Sequence, residues 1–166
     1  MDNSLGRGAA FRLLYLEELD GSDRLRRGGV SVSYRSTGGP MATPVRAQIL
    51  VVDDEPVIRQ LLKEMLLTMG YQVEIAASGH EALTIYNARK GDIDLVILDV
   101  MMPGMSGIEV FRRLKKLDPN VRVILASGYV DASKLQMAIK EGVRDFIAKP
   151  FAIRTLHRKI EAILSE

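Results

Sequence analysis

The sequence predicts an α/β fold in which a doubly wound, five-stranded parallel sheet carries helices on both faces. Three observations lead to this prediction. From residue 48 onward, short apolar runs rich in Val and Ile alternate five times with longer segments of helical periodicity. Glycine, proline and asparagine punctuate the chain between these segments. Isolated polar residues follow several of the apolar runs, as is typical of the ligand-binding edge of such a sheet.

The first two strand–helix units follow directly from this pattern. The first strand is expected at Gln48–Val52, and the helix at Pro56–Met69 begins with a proline, which suits a first helical turn. Five apolar residues of this helix recur on one face and are expected to face the core: Ile58, Leu61, Leu62, Met65 and Met69. The second strand is expected at Tyr71–Ala76 and the second helix at 78–89, where a serine and a glutamate form a capping-box pattern.

The third strand ends on a carboxylate. Leu95–Leu98 is too short for an isolated helix and apolar enough to be a strand buried on both faces. Asp99 is therefore expected where the strand leaves the core, before a loop rich in glycine and proline. Ser106 and Glu109 repeat the capping pattern for a helix that ends near Leu117.

The last two units have the same form. Strands are expected at Val121–Ala126 and Asp145–Ala148, and helices at Asp131–Glu141 and Ile153–Leu164.

The eight methionines fall mostly on helix faces or in the loop after the third strand. We expect them to be packing residues.

Residues 1–46 differ in composition from the rest of the chain. All their basic residues are arginines, and glycine, serine and threonine are abundant. We predict a mostly disordered N-terminal extension with a short helix over residues 9–19. Met41 is a candidate for the natural start of translation, in which case residues 1–40 do not belong to the native product.

Composition excludes several classes of protein. The 166 residues contain no apolar run of the roughly 18 residues that a membrane helix requires, and no signal-peptide pattern, so we expect a cytoplasmic protein. The absence of cysteine excludes disulfides and thiolate metal sites. A formal charge of +2 gives no reason to expect nucleic-acid binding through bulk electrostatics.

Polar residues follow four of the five predicted strands: Asp53, Asp54, Asp99, Ser127 and Lys149. The carboxyl ends of parallel strands share one edge, so these side chains are expected to converge. Two carboxylates about 5 Å apart repel by roughly 3 kcal/mol at an effective dielectric of about 20, so clustered carboxylates raise one another's pKa or hold a cation. An all-oxygen site suits Mg²⁺ or Mn²⁺. A carboxylate can attack phosphorus while a metal, a lysine and a hydroxyl stabilise the transferred group.

Four segments carry a family resemblance: ILVVDDE, LVILDVMMPGMSG, VILASG and DFIAKPF. In this order and spacing they resemble the response-regulator receiver domain of bacterial two-component signalling, and the chain is similar to the stand-alone chemotaxis regulators. The resemblance covers residues 47–166. It implies a flavodoxin-like (βα)5 receiver fold with strand order 2-1-3-4-5.

The resemblance also implies roles for the acidic residues. Asp99 is the phosphoacceptor by this comparison. Asp54 and Asp99 are implied as direct ligands of Mg²⁺, together with the backbone carbonyl of Met101. Asp53 is implied as an acid that acts on the metal largely through water.

Further roles follow from the same resemblance. Ser127 takes the position of the switch hydroxyl, Phe146 that of the switch aromatic, and Lys149 that of the lysine that pairs with the phosphoryl group. The peptide bond from Lys149 to Pro150 is cis in the family. Met101 and Tyr129 flank the entry to the phosphoryl group, and we expect their side chains to tune its lifetime.

The implied function is that of a single-domain response regulator. Asp99 accepts a phosphoryl group from a sensor histidine kinase or a histidine phosphotransfer protein, with Mg²⁺. The face of the fourth helix, fifth strand and fifth helix then changes, and it binds a downstream protein or forms a dimer. No DNA-binding or membrane domain is expected, nor catalysis beyond its own phosphorylation and dephosphorylation. The alternatives are a Mg²⁺-dependent aspartyl-phosphate phosphatase or phosphotransferase, and a receiver fragment of a hybrid kinase.

Overall fold

Five parallel strands form one sheet in the computed structural model, which describes residues 46–128 and 132–166. The strands are β1 (Arg46–Val52), β2 (Tyr71–Ala76), β3 (Leu95–Asp99), β4 (Val123–Ser127) and β5 (Asp145–Ala148). The helices that follow them are α1 (Pro56–Thr68), α2 (Gly79–Ala88), α3 (Gly107–Leu117), α4 (Ala132–Lys140) and α5 (Ile153–Leu164). The spatial order is β2-β1-β3-β4-β5, so the predicted fold class and strand order are confirmed.

The predictions for the N-terminal region and for Tyr129 lie outside the described residues. The division of the chain between residues 46 and 47 therefore stays a prediction, as does the helix over residues 9–19. Among residues 46–128 and 132–166, no helix is long and apolar enough to cross a membrane.

The sheet is buried on both faces because successive residues of each strand point to opposite sides. In β1, Leu50 and Val52 pack with the cluster formed by α2, α3 and α4, whereas Ile49 and Val51 pack with α1 and α5. All five residues of β3 are buried. Each fully buried Leu, Ile or Val stabilises the fold by about 1.5–3 kcal/mol relative to an exposed one, so the central strands supply much of the driving force.

Both predicted serine caps are confirmed. The Ser78 hydroxyl accepts a hydrogen bond from the Glu81 amide at 3.2 Å, and the Ser106 hydroxyl accepts one from the Glu109 amide at 3.3 Å. Glu81 also accepts from the Ala77 amide at 2.7 Å, one residue before the cap. The two serine bonds satisfy amides that the first turn of a helix leaves without partners.

The predicted start of β4 is wrong by two residues. The Val121 amide donates to the Asp118 carbonyl oxygen at 3.1 Å, and the Asn120 amide donates to the Asp118 carboxylate at 2.9 Å. This turn holds the chain in a bend, so the strand begins only at Val123. At its other end, β4 includes Ser127.

Two apolar side chains expected to pack in the core are exposed instead: Leu61 is 43% exposed and Met137 56%. Met101, expected beside the entry to the phosphoryl group, is 66% exposed. On α1, Leu62, Met65 and Leu66 fill the contact with the sheet, which leaves Leu61 at the flank of the helix. The core predictions for Met65 and Met69 are confirmed, since both are buried.

Gly107 fixes the loop after β3 against the strand. Its amide donates to the Val100 carbonyl oxygen at 3.1 Å, and a Cβ atom added here would lie 2.1 Å from the carbonyl oxygen of Asp99. That obstacle is backbone, which cannot rotate away as a side chain can. Only glycine therefore lets α3 begin so close to Asp99.

We expect Gly107→Ala to lower the free energy of unfolding by about 2–4 kcal/mol, because the clash outweighs the better helix propensity of alanine. Urea denaturation measures the change. Gly128→Ala is the matched control, since a Cβ there meets nothing within 4 Å. A loss at residue 107 no larger than that of the control would contradict the close approach.

Candidate functional site

Three carboxylates meet at the carboxyl edge of the sheet. Asp53 and Asp54 follow β1 and Asp99 ends β3, and these strands are direct neighbours, with Val52 paired to Leu98. One carboxylate oxygen from each aspartate lies within 4.8 Å of the other two. Asp53 and Asp99 are buried, and Asp54 is half-buried.

Lys149 reaches this cluster from the end of β5, the outermost strand on one side of the sheet. Its Nζ donates to Asp53 Oδ2 at 2.6 Å and to Asp99 Oδ1 at 2.9 Å. The Lys149 amide donates to the Ser127 carbonyl oxygen at 2.8 Å, which ties the end of β5 to β4. The Lys149–Pro150 peptide bond is cis, as the family resemblance implied. The lysine thus spans the end of β4 to join two buried carboxylates.

Burial and charge act together on the ionisation of this site. Burial raises the pKa of Asp99, the hydrogen bond and charge of Lys149 oppose that rise, and the nearby negative charges of Asp53 and Asp54 add to it. For Lys149, burial lowers the pKa, but the bonds to both carboxylates outweigh it, and the net pKa is raised. Lys149 therefore remains an ammonium at neutral pH.

The cluster has the chemistry of a divalent-cation site. Three carboxyl groups face a single amine, and no sulfur or imidazole belongs to the cluster. Such an all-oxygen donor set fits Mg²⁺.

Asp53 and Asp54 differ in their capacity to bind a cation. Both carboxylate oxygens of Asp53 already accept hydrogen bonds, Oδ1 from the Glu55 amide at 2.9 Å and Oδ2 from Lys149. The Asp54 carboxylate has no hydrogen bond or ion pair among the described residues. Asp54 is therefore the free carboxylate next to Asp99.

The two predicted switch residues lie on the neighbouring strands. Ser127 ends β4, is buried, and follows Ala126, the residue that pairs with Asp99. Phe146 lies on β5, where it is half-buried against the core cluster of α2, α3 and α4. Ser127 thus stands between β3, which carries Asp99, and β5, which Lys149 follows.

A groove opens beside Asp99, and the sequence did not lead us to expect it. This α1 groove has a volume of about 610 Å³, and Asp99, Met101 and Lys149 line it. Most of its remaining wall is apolar, contributed by α1 and by the segment after β5: Ile58, Leu61, Met65, Pro150 and Phe151. The signal in the sequence is Leu61, an apolar residue whose helical periodicity predicts a core position.

Sequence comparison identifies the family of the chain. The profile of the response regulator receiver domain matches residues 49–161. Sporulation initiation phosphotransferase F of Bacillus subtilis is 39% identical over 117 residues, which are 70% of this chain and 93% of that protein. Sensor kinase CckA of Brucella abortus is 30% identical over 165 residues, which are 99% of this chain but only 17% of the kinase.

Solved structures agree with this result. A response regulator receiver domain protein from Clostridium thermocellum superimposes with a TM-score of 0.70 at 36% identity, covering 72% of this chain and 95% of that one. The complex of CheX, CheY, BeF3 and magnesium from Borrelia burgdorferi gives 0.71 at 27% identity, covering 75% and 93%. The chain belongs to the response regulator receiver domain family.

Proposed function

We propose that Asp99 is the residue of this receiver domain that accepts the phosphoryl group. The observation that carries the proposal is the position of Lys149, whose ammonium binds Asp99 and Asp53 and which lines the α1 groove together with Asp99. Of the three clustered carboxylates, Asp99 alone lines that groove, so a donor can approach it there.

The transfer follows from the chemistry of these groups. A carboxylate oxygen of Asp99 attacks the phosphorus of a phosphohistidine on a sensor histidine kinase or histidine phosphotransfer protein. The phosphorus–nitrogen bond breaks and the electron pair stays on that nitrogen. The imidazole, protonated on its other ring nitrogen, leaves as a neutral group, and an aspartyl phosphate forms. Lys149 moves its hydrogen bonds to the new phosphoryl oxygens, and the Ser127 hydroxyl donates another. The domain catalyses its own phosphorylation and dephosphorylation only. We propose that it is located in the cytoplasm.

Asp54, Asp99 and the backbone carbonyl of Met101 would hold Mg²⁺, with Asp53 acting through water. These different roles are supported by the hydrogen bonds of the two side chains. Both carboxylate oxygens of Asp53 already accept hydrogen bonds, whereas the carboxylate of Asp54 accepts none among the described residues. When bound, the cation supplies positive charge next to the phosphoryl oxygens. Mn²⁺ has the same ligand preference and would serve in its place.

Asp54→Asn is expected to weaken Mg²⁺ binding by about tenfold or more, because one charged oxygen ligand is lost from a site built of few protein ligands. Isothermal titration calorimetry of Mg²⁺ into the protein measures the change. Glu64→Gln on the exposed side of α1 removes the same charge away from the cluster and serves as the control. Equal affinities in all three proteins would remove Asp54 from the metal site.

The donor is proposed to dock in the α1 groove. Val57 is 76% exposed and Leu61 43% exposed, and Leu61 lines the wall beside Asp99. An apolar wall next to the reactive carboxylate is suited to a partner protein that must bring its histidine to Asp99 and exclude water.

Leu61→Gln is expected to slow transfer from an autophosphorylated histidine kinase by about tenfold, since a polar side chain replaces an apolar contact. Labelling by phosphoramidate, which needs no docking surface, should stay within about twofold. Leu67→Gln is the matched control, because Leu67 is a leucine of α1 with 49% exposure that does not line the groove. Equal slowing with both donors would contradict the docking site.

The output is proposed to be a change of the face formed by α4, β5 and α5. Ser127 moves toward the phosphoryl group, and Phe146 turns into the vacated space. To move the population from mostly inactive to mostly active, phosphorylation must favour the active conformation by about 5.5 kcal/mol. A dianion that contacts a lysine, a hydroxyl and a cation is able to supply that free energy. Met137 and Ile139, both at least half exposed on α4, support a protein contact there, with a downstream target or in a self-dimer.

A receiver domain joined to a sensor kinase is the second candidate. The alignment with CckA covers 165 residues, so it continues through the segment that precedes β1. In that arrangement the phosphohistidine donor belongs to the same polypeptide. The intact mass of the native protein, read together with the full gene, distinguishes the two candidates.

A further inference from the structure

The methionines of the described residues fall into two groups by exposure. Met65, Met69, Met102 and Met105 are 3–8% exposed, whereas Met101 is 66% exposed and Met137 is 56% exposed. Oxidation of a thioether requires contact with the oxidant in solution, so the two exposed residues react first. Packing in the core explains the burial of the first group and does not apply to the second.

Met101 differs from Met137 in its location. It lies two residues after Asp99, and its side chain lines the α1 groove together with Asp99 and Lys149. The parts of the wall contributed by α1 and by the segment after β5 are mostly apolar, and the thioether adds only a weak hydrogen-bond acceptor to them. A chemical change at this sulfur therefore alters the surroundings of the proposed phosphoryl group.

We propose that Met101 is an oxidation site whose sulfoxide shortens the lifetime of the phosphoryl group on Asp99. A hydroperoxide transfers one oxygen atom to the sulfur as its O–O bond breaks. The thioether is oxidised by two electrons to the sulfoxide, and hydrogen peroxide is reduced to water. This inference rests on Asp99 being the phosphoacceptor.

The expected direction follows from the polarity of the product. A sulfoxide oxygen is a strong hydrogen-bond acceptor, whereas a thioether sulfur is a weak one. Beside Asp99 it holds water in a wall that was apolar, and water is the nucleophile that hydrolyses an acyl phosphate. The change is reversible, because sulfoxide reductases restore the thioether.

The test uses the full chain, labelled on Asp99 with phosphoramidate and then freed of the donor. Peptide mass spectrometry after hydrogen peroxide treatment gives the oxidation rate of each methionine, and intact mass gives the phosphate half-life. We expect Met101 and Met137 to react before the four buried methionines. We expect the half-life of the oxidised protein to fall by about threefold or more, and sulfoxide reductase to restore it.

Two variants assign the effect to one sulfur. Met137→Leu should keep the response to peroxide, whereas the half-life of Met101→Leu should be the same before and after treatment. An unchanged or longer half-life in the oxidised wild type, or an equal response in Met101→Leu, would overturn the inference. Labelling that persists in Asp99→Asn would instead overturn the proposed function, so the two failures are distinguishable.

Discussion

Replacing Asp99 with asparagine is expected to lower phosphoryl incorporation from phosphoramidate by at least about a thousandfold. The amide has nearly the shape of the carboxylate but lacks the anionic oxygen that attacks phosphorus. The fold should persist, because the substitution removes one of three clustered negative charges and fills the same space. Intact mass spectrometry at saturating Mg²⁺ measures the incorporated phosphate.

Asp92→Asn is the matched control for this substitution. Asp92 is an exposed aspartate in the turn before β3, at the opposite edge of the sheet, so its loss should leave incorporation unchanged. If Asp99→Asn were labelled at the rate of the control, the phosphoacceptor would have to be another residue.

Lys149→Met is expected to lower the rate of Asp99 phosphorylation by about a hundredfold or more, because the charged donor for the phosphoryl oxygens is lost. Mg²⁺ affinity should stay the same or increase. The ammonium now lies between Asp53 and Asp99 and competes with any cation for their negative charge. Phosphorylation rates and calorimetric Mg²⁺ titrations on the same preparation separate the two effects.

Lys159→Met tests whether the loss of any lysine–aspartate pair changes the phosphorylation rate and the Mg²⁺ affinity. Lys159 on α5 donates to Asp145 at 2.6 Å, so the control also breaks a lysine–aspartate pair, away from the cluster. It should leave both measurements unchanged. A Lys149 variant that phosphorylates normally, or one that loses Mg²⁺ binding, would contradict the role proposed for the amine.

The strands and helices were predictable because local signals agreed with the final packing. The run Leu95–Leu98 is apolar at every position and is buried on both faces, and Ser78 and Ser106 cap the helices they precede. The start of β4 was missed because the side chain and carbonyl of Asp118 hold a turn there. A hydrophobic pattern does not report such hydrogen bonds.

The topology of the sheet predicts that the site residues lie close together, but it does not predict the contacts between their side chains. Residues at the carboxyl ends of β1 and β3 must meet once those strands are neighbours. The reach of Lys149 across the end of β4 depends on side-chain geometry. The exposure of Leu61 was hidden because helical periodicity gives a wide apolar stripe and cannot show where the sheet ends beneath it.

Borohydride trapping of the phosphorylated protein tests the central claim most directly. The reagent reduces an acyl phosphate to an alcohol, so the phosphorylated aspartate becomes homoserine and is found by peptide sequencing in a mass spectrometer. We predict homoserine at residue 99 after treatment with phosphoramidate and Mg²⁺. Homoserine at residue 53 or 54, or a stable phosphate on a residue that borohydride does not reduce, would contradict the assignment of Asp99.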